Sequence, residues 1–99
     1  MNIQALMKQA QAMQKNLMKS KKEIDEKIYE GKSELVNVKI NGKREILSVD
    51  IKKENDIDID DLEILEDMIK IAFSIALEKV EKDISDKLGS QTGSLGNLF

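Results

Sequence analysis

The sequence predicts an α+β fold in which two long helices flank an antiparallel sheet. Three observations predict it. The first 28 residues lack Gly and Pro and carry apolar residues every three or four positions. A central stretch around Asn41-Gly42 alternates with a period of two, and a second helical run opens among carboxylates.

The first run, residues 2 to about 28, is rich in Gln, Lys, Met, Leu and Ala, all good helix formers. Ile3, Leu6, Ala10, Met13, Leu17 and Ile24 fall at heptad a and d positions, with Ser20 interrupting. At about 1.5 Å per residue such a helix reaches roughly 40 Å, more than a small globule covers, so part should project. Gly31 is expected to end the pattern, and Ile28–Lys32 can supply a short strand. Leu35, Val36, Val38 and Ile40 lead to Asn41-Gly42, the preferred dipeptide of a type I′ hairpin. Ile46, Leu47, Val49 and Ile51 form the return strand. Val36, Val38 and Ile40 share one face while Asn37 and Lys39 take the other, as in a half-buried sheet.

After a polar connector, Asp60 reads as an N-cap and Glu63 closes a capping box. The second helix is expected to reach Leu88 and stop at Gly89. From Leu62 to Leu77 it is apolar nearly all round, so one face can cover the sheet and another needs a second subunit. Val80, Ile84 and Leu88 continue as a narrower stripe able to pair with the first helix. The expected organisation is a single domain at 1–89 and a flexible Gly/Ser-rich tail at 90–99.

Ninety-nine residues support one small core, and a 35% charged content leaves that core thin enough to favour completion by a second copy. With no His and no Cys, the commonest general base, thiolate chemistry and the commonest metal ligand are missing. The expectation is a protein that is not an enzyme and uses no cofactor, metal or small-molecule substrate. No apolar run approaches the roughly 20 residues of a membrane span, and no signal-peptide pattern opens the chain, so a cytoplasmic location is expected. Asp56-x-Asp58-x-Asp60 superficially opens a calcium loop, but Asp61 replaces its glycine and Asp67 its final glutamate. Charges that suit a helix N-terminus explain these acids better.

A formal net charge of −3 argues against nucleic acid until its distribution is considered. Residues 1–22 hold five lysines and no acid; residues 54–69 hold eight acids and no base. On the first helix, Lys8, Lys15 and Lys22 share heptad position f and Lys19 lies alongside at c, opposite the apolar seam. Successive f lysines stand about 10 Å apart along the axis, a row of point charges suited to a phosphate backbone. Gln4, Gln11 and Gln14 lie among them and can donate to phosphate or sugar oxygens. By pattern alone, an ordinary solvated helix face looks the same.

The ordered set of matches resembles the YbaB/EbfC nucleoid-associated proteins. Leu6-Met7-Lys8-Gln9-Ala10-Gln11-Ala12-Met13-Gln14 looks like that family's opening helix. Leu35-Val36 with Val38, Ile40, Asn41 and Gly42 resembles its hairpin. Asp61, Leu62, Leu65, Glu66, Asp67, Ala72, Phe73, Ala76, Leu77, Lys79, Val80 and Glu81 resemble its second helix, and Gly93 to Phe99 its tail. The segment Gly31-Lys32-Ser33-Glu34 departs from the family in being shorter and less glycine-rich. The resemblance implies an α-β-β-β-α subunit with a three-stranded antiparallel sheet, and a dimer with joined sheets and projecting helical arms.

It further implies backbone binding of double-stranded DNA by a homodimer in the nucleoid, with a role in nucleoid organisation and gene expression. Carried over, the DNA contacts fall on Lys8, Lys15, Lys19, Lys22, Gln4 and Gln11, with Lys79, Lys82 and Lys87 as secondary candidates among acids. Ile64, Met68, Ile71, Ile75, Val38 and Ile40 are the expected dimer interface. The rival expectation is a non-catalytic dimeric helical adaptor whose heptad arms bind a protein partner.

Overall fold

The structure, a computed structural model, describes residues 2–53 and 57–88. Asp56, the expected stop at Gly89 and the expected tail at 90–99 lie outside the described residues. Helix α1 (Ile3–Glu26) starts at Asn2, whose Oδ1 accepts hydrogen bonds from the amides of Gln4 (3.1 Å) and Ala5 (3.4 Å). Those bonds satisfy two of the free donors at a helix start. The helix ends earlier than its periodicity suggests because Lys27 is already extended, feeding the chain directly into β1 (Ile28–Lys32). Gly31 therefore lies inside a strand and does not terminate the helix.

Three antiparallel strands follow in the order β1-β2-β3, with β2 (Val36–Asn41) central and β3 (Ile46–Ile51) at the far edge. This is the α-β-β-β-α order with a three-stranded sheet. The hairpin differs from the two-residue type I′ turn expected at Asn41-Gly42. The Arg44 amide donates to the Asn41 carbonyl (2.9 Å) and the Asn41 amide to the Glu45 carbonyl (3.1 Å). The loop is thus three residues, and its left-handed member is Arg44, at φ 66°. Gly42 is required for a different reason: a Cβ there would stand 1.9 Å from the carbonyl oxygen of Ile24. Asn41 Oδ1 accepts from the amides of Lys43 and Glu45, both at 3.0 Å, which fixes the turn from within. Beyond it, Ile40 faces Ile46 while Lys39 faces Ser48, so Leu47 is the extra residue of a bulge.

The second helix is entered through a 3-10 turn, Ile59–Asp61, before α2 (Leu62–Leu88). Its capping box is built by Asp58 and Asp61, two residues ahead of the expected Asp60–Glu63 pair. The Asp58 amide donates to Asp61 Oδ2 at 3.0 Å, and Asp58 Oδ1 accepts from the Ile59 amide at 2.7 Å. The added 3-10 turn moves the start upstream.

Helix α2 lies across β1 and β2, and the core forms between them. Ile24, Val36, Val38, Ile40 and Val80 are its largest fully buried side chains. Each contributes about 1.5–3 kcal/mol of burial. Contact is closest at Gly31, where a Cβ would stand 1.8 Å from the Ala72 carbonyl oxygen and 2.9 Å from the Ala76 nitrogen. The stripe Val80–Ile84 does meet the first helix, but only at its C-terminal end, where Ile24 is buried and Leu17 packs against the core. Residues 2–16 are exposed throughout. Ile3–Asn16 therefore projects by about 21 Å at 1.5 Å per residue. On β3, Val49 pairs with buried Val38 yet remains 46% exposed, and Ile46 64% exposed. The helix covers the other two strands only.

Gly31→Ala tests the backbone contact. Overpacking here is expected to cost about 3 kcal/mol, at the upper end for an added methyl, because the clash is with helix backbone. Urea unfolding followed by circular dichroism should show the midpoint falling sharply, whereas Ser48→Ala on the exposed sheet face should leave it nearly unchanged.

Candidate nucleic-acid interface

The helical period of α1 places Lys8, Lys15 and Lys22 on one face, with Lys19 within about 60° of each at 100° per residue. All four are exposed, as are Gln4 and Gln11. None of the four ammonium groups has an ion pair or hydrogen bond among the described residues. Lys21, the fifth lysine of this helix, points elsewhere and pairs with Asp25 at 2.6 Å.

The three candidate lysines of α2 behave differently. Lys79 Nζ donates to the Glu30 carbonyl at 2.7 Å, which ties α2 to the outer edge of β1. Lys87 lies 3.8 Å from Glu23 of α1. Lys82 is exposed beside Asp83 and Asp86, lining the same shallow cavity as Lys27, Tyr29, Glu30 and Lys79. Two of these three expected candidates are thus engaged in joining elements of the subunit. The structure also brings in Lys43, which the sequence reasoning did not single out. It lies in the hairpin loop and meets α1 beside Met18, Lys21 and Lys22. A cation directly after a turn dipeptide is the only sign of it in the sequence.

The acidic cluster of residues 58–67 lies elsewhere. Asp58, Asp60, Asp61, Glu63, Glu66 and Asp67 crowd the N-terminal end of α2, while the Lys87–Glu23 contact places the C-terminal end of α2 beside α1. At 27 residues α2 measures about 40 Å, several times the Debye length of roughly 8 Å at physiological salt. The field at the α1 lysines is therefore set locally, despite the negative total.

The join between the arm and the body is a polar cluster. Tyr29 is nearly buried, and its hydroxyl donates to Asp83 Oδ2 at 2.7 Å, with Lys27 Nζ 2.9 Å from the same oxygen. That ammonium also stands 5.3 Å from the Tyr29 ring centroid, within cation–π range. Burial, then the hydrogen bond to Asp83, pushes the Tyr29 hydroxyl well above its ordinary range. The same hydrogen bond, followed by that from Lys27, holds Asp83 below the usual carboxylate range. On the same strand as Tyr29, hydrogen bonding from Lys32 lowers Glu30 against a smaller opposing effect of burial. Lys27 and Asp83 directly follow α1 and lie on α2, so their pair braces the base of the projecting helix.

Of the residues expected at a dimer interface, Ile64 and Ile71 are exposed and Met68 and Ile75 half-buried along one side of α2. Val38 and Ile40 are fully buried inside the subunit, where α2 already covers their face. Among the described residues no group of three or more carboxylates is placed to hold a metal ion, and no helix is long and apolar enough to cross a membrane.

The family model described as the YbaB/EbfC DNA-binding family matches residues 1–95. A protein of Clostridium perfringens (strain SM101 / Type A), named a nucleoid-associated protein, is 45% identical over 40 residues, covering 40% of this chain and 36% of the relative. A nucleoid-associated protein of Clostridium botulinum (strain Eklund 17B / Type B) is 43% identical over 44 residues, covering 43% of this chain and 39% of its own length. The aligned segments span little more than a third of these relatives.

The Tyr29–Asp83–Lys27 cluster predicts a stability profile with two limbs. Lowered Asp83 stabilises the fold above the ordinary carboxylate range, and the gain is lost as pH falls through its folded value. Raised Tyr29 stabilises below its ordinary value near 10.0, and the gain is lost as pH rises towards its folded value. Tyr29→Phe should cost about 1–2 kcal/mol at neutral pH. It should also remove the alkaline limb and move the Asp83 carboxyl titration, read by NMR, upward.

Proposed function

Because this chain belongs to the YbaB/EbfC DNA-binding family, we propose that it is a nucleoid-associated protein that grips double-stranded DNA by its phosphate backbone as a homodimer. The observation that carries the reading is the set of four unpaired lysines on one exposed face of α1 that carries no acid ahead of Glu26. An ammonium already committed to a carboxylate gains little from a phosphate. A free one releases a condensed counterion when it binds. Gln4 and Gln11 add neutral donors on the same helix. No base-reading side chain is required, so sequence preference is limited and the physiological output is nucleoid organisation with effects on gene expression. Cytoplasm and nucleoid are the corresponding location.

The homodimer draws support from the apolar surface that one subunit leaves open. Ile64 and Ile71 of α2, Ile46 and Val49 of β3 and Leu6 and Met13 of α1 are all about half exposed or more. A second copy can cover such surfaces, joining the sheets and pairing the arms. Single exposed apolar residues need no explanation, but this many on a chain with so small a core do. The dimer should reveal itself as a melting temperature that rises with protein concentration.

If eight lysines, four from each subunit, neutralise phosphates, log K against log salt should slope near −7, about −0.9 per contact. A mobility-shift titration reads this directly, and a slope near zero removes the mechanism. Changing Lys8, Lys15, Lys19 and Lys22 together to Glu should abolish binding and leave the dimer intact; retained binding moves the site elsewhere. The exposed apolar seam Ile3, Leu6 and Met13 favours a second reading, an adaptor binding a partner helix. That reading predicts salt-insensitive association damaged by Leu6→Ala or Met13→Ala and indifferent to the lysines.

A further inference from the structure

We infer that the hairpin loop between β2 and β3 is a second element of the DNA-binding surface, with Lys43 extending the α1 lysine row onto the body. The inference rests on the DNA-binding reading and adds to it a contact from outside the helix. Three features of the loop carry it.

The first is position. Gly42 lets the loop backbone lie against the carbonyl of Ile24, in the last turn of α1, at a distance no side chain would allow. Lys43 thereby lines one recess with Met18, Lys21, Lys22, Asp25 and Glu26. Lys22 is the innermost of the f-position lysines, so Lys43 stands where that row would continue once the helix ends.

The second is rigidity. Asn41 Oδ1 accepts from the amides of Lys43 and Glu45, and Asn41 Nδ2 donates to Glu45 Oε1 at 3.1 Å. Arg44 holds a left-handed backbone, rare for a side chain of its size, and is anchored to Glu81 of α2 by an ion pair. A loop tied at both flanking residues presents the one between them at small entropic cost.

The third is charge. The ammonium of Lys43 has no partner among the described residues, although two carboxylates line the same recess. Asp25 is taken by Lys21 at 2.6 Å. Glu45, outside the recess but two residues along the loop, carries a hydrogen bond from Asn41. Three lysines against Asp25 and Glu26 leave the recess net positive. A backbone phosphate that has left the last free lysine of α1 meets Lys43 next.

The test is a salt titration of duplex DNA binding by the full chain, comparing wild type with Lys43→Ala, Lys43→Arg and Lys39→Ala. Lys39 is an exposed lysine on the outer face of β2, so its removal changes net charge equally without touching the loop. Lys43→Ala should weaken binding by roughly 10-fold near physiological salt. It should also make the slope shallower by about 2, one lost contact per subunit. Lys43→Arg should retain both, and Lys39→Ala should match wild type. Equal losses for Lys43→Ala and Lys39→Ala, or none for Lys43→Ala while wild type binds with a steep slope, would overturn this inference and leave the function standing. Wild type that fails to bind duplex DNA would overturn both.

Discussion

Helix α2 rests on strand β1 with no side chain between them at Gly31. Backbone meets backbone there because Gly31 lacks a Cβ and Ala72 and Ala76 carry only a methyl group. That approach sets the depth of the core. It brings Val36, Val38 and Ile40 under the helix and lets the Lys79 ammonium reach the Glu30 carbonyl at the sheet edge. It also fixes where α2 ends relative to α1, so that Asp83 meets Lys27 and Tyr29, and Lys87 comes near Glu23. A larger residue at any of the three small positions would lift the helix and loosen these ties together.

The second close approach, Gly42 on Ile24, does for the hairpin what Gly31 does for the helix. It seats the turn on the last turn of α1, so the base of the arm is held from two sides. A projecting helix of 24 residues gains most of its stability where it packs, and here that is confined to its C-terminal end. The arm beyond Leu17 is free to present a charged face and an apolar seam, and the rigid base determines where they point.

Electrostatics follows from this geometry more than from composition. A chain of net charge −3 crowds six of its acids, from Asp58 to Asp67, at the N-terminal end of α2 and holds unpaired lysines along α1, separated by several screening lengths. Lys27, Lys79 and Lys87 are consumed in holding elements together. The unpaired lysines of α1 are left for an external anion. The division between structural and available cations appears only once partners and distances are known.

The sequence by itself determined the elements and their periods: a heptad helix, a two-period sheet with Val36, Val38 and Ile40 inward, and an over-apolar second helix. These are local properties, set by propensity and by which face each pattern makes apolar. It also disclosed the acid-free lysine row, because residues seven apart on one helix share a face in any fold. Contacts between distant segments belonged to the tertiary structure alone. The hairpin took a three-residue loop because Gly42 was needed against α1, and its left-handed position passed to Arg44. The capping box moved to Asp58 and Asp61 because a 3-10 turn preceded α2. Val38 and Ile40 went into the subunit core because α2 covers their strand. Lys79 and Lys87 were drawn into internal ties, and Lys43 reached the base of the arm. None of these could be read along the chain, since each depends on which backbone comes to lie against which.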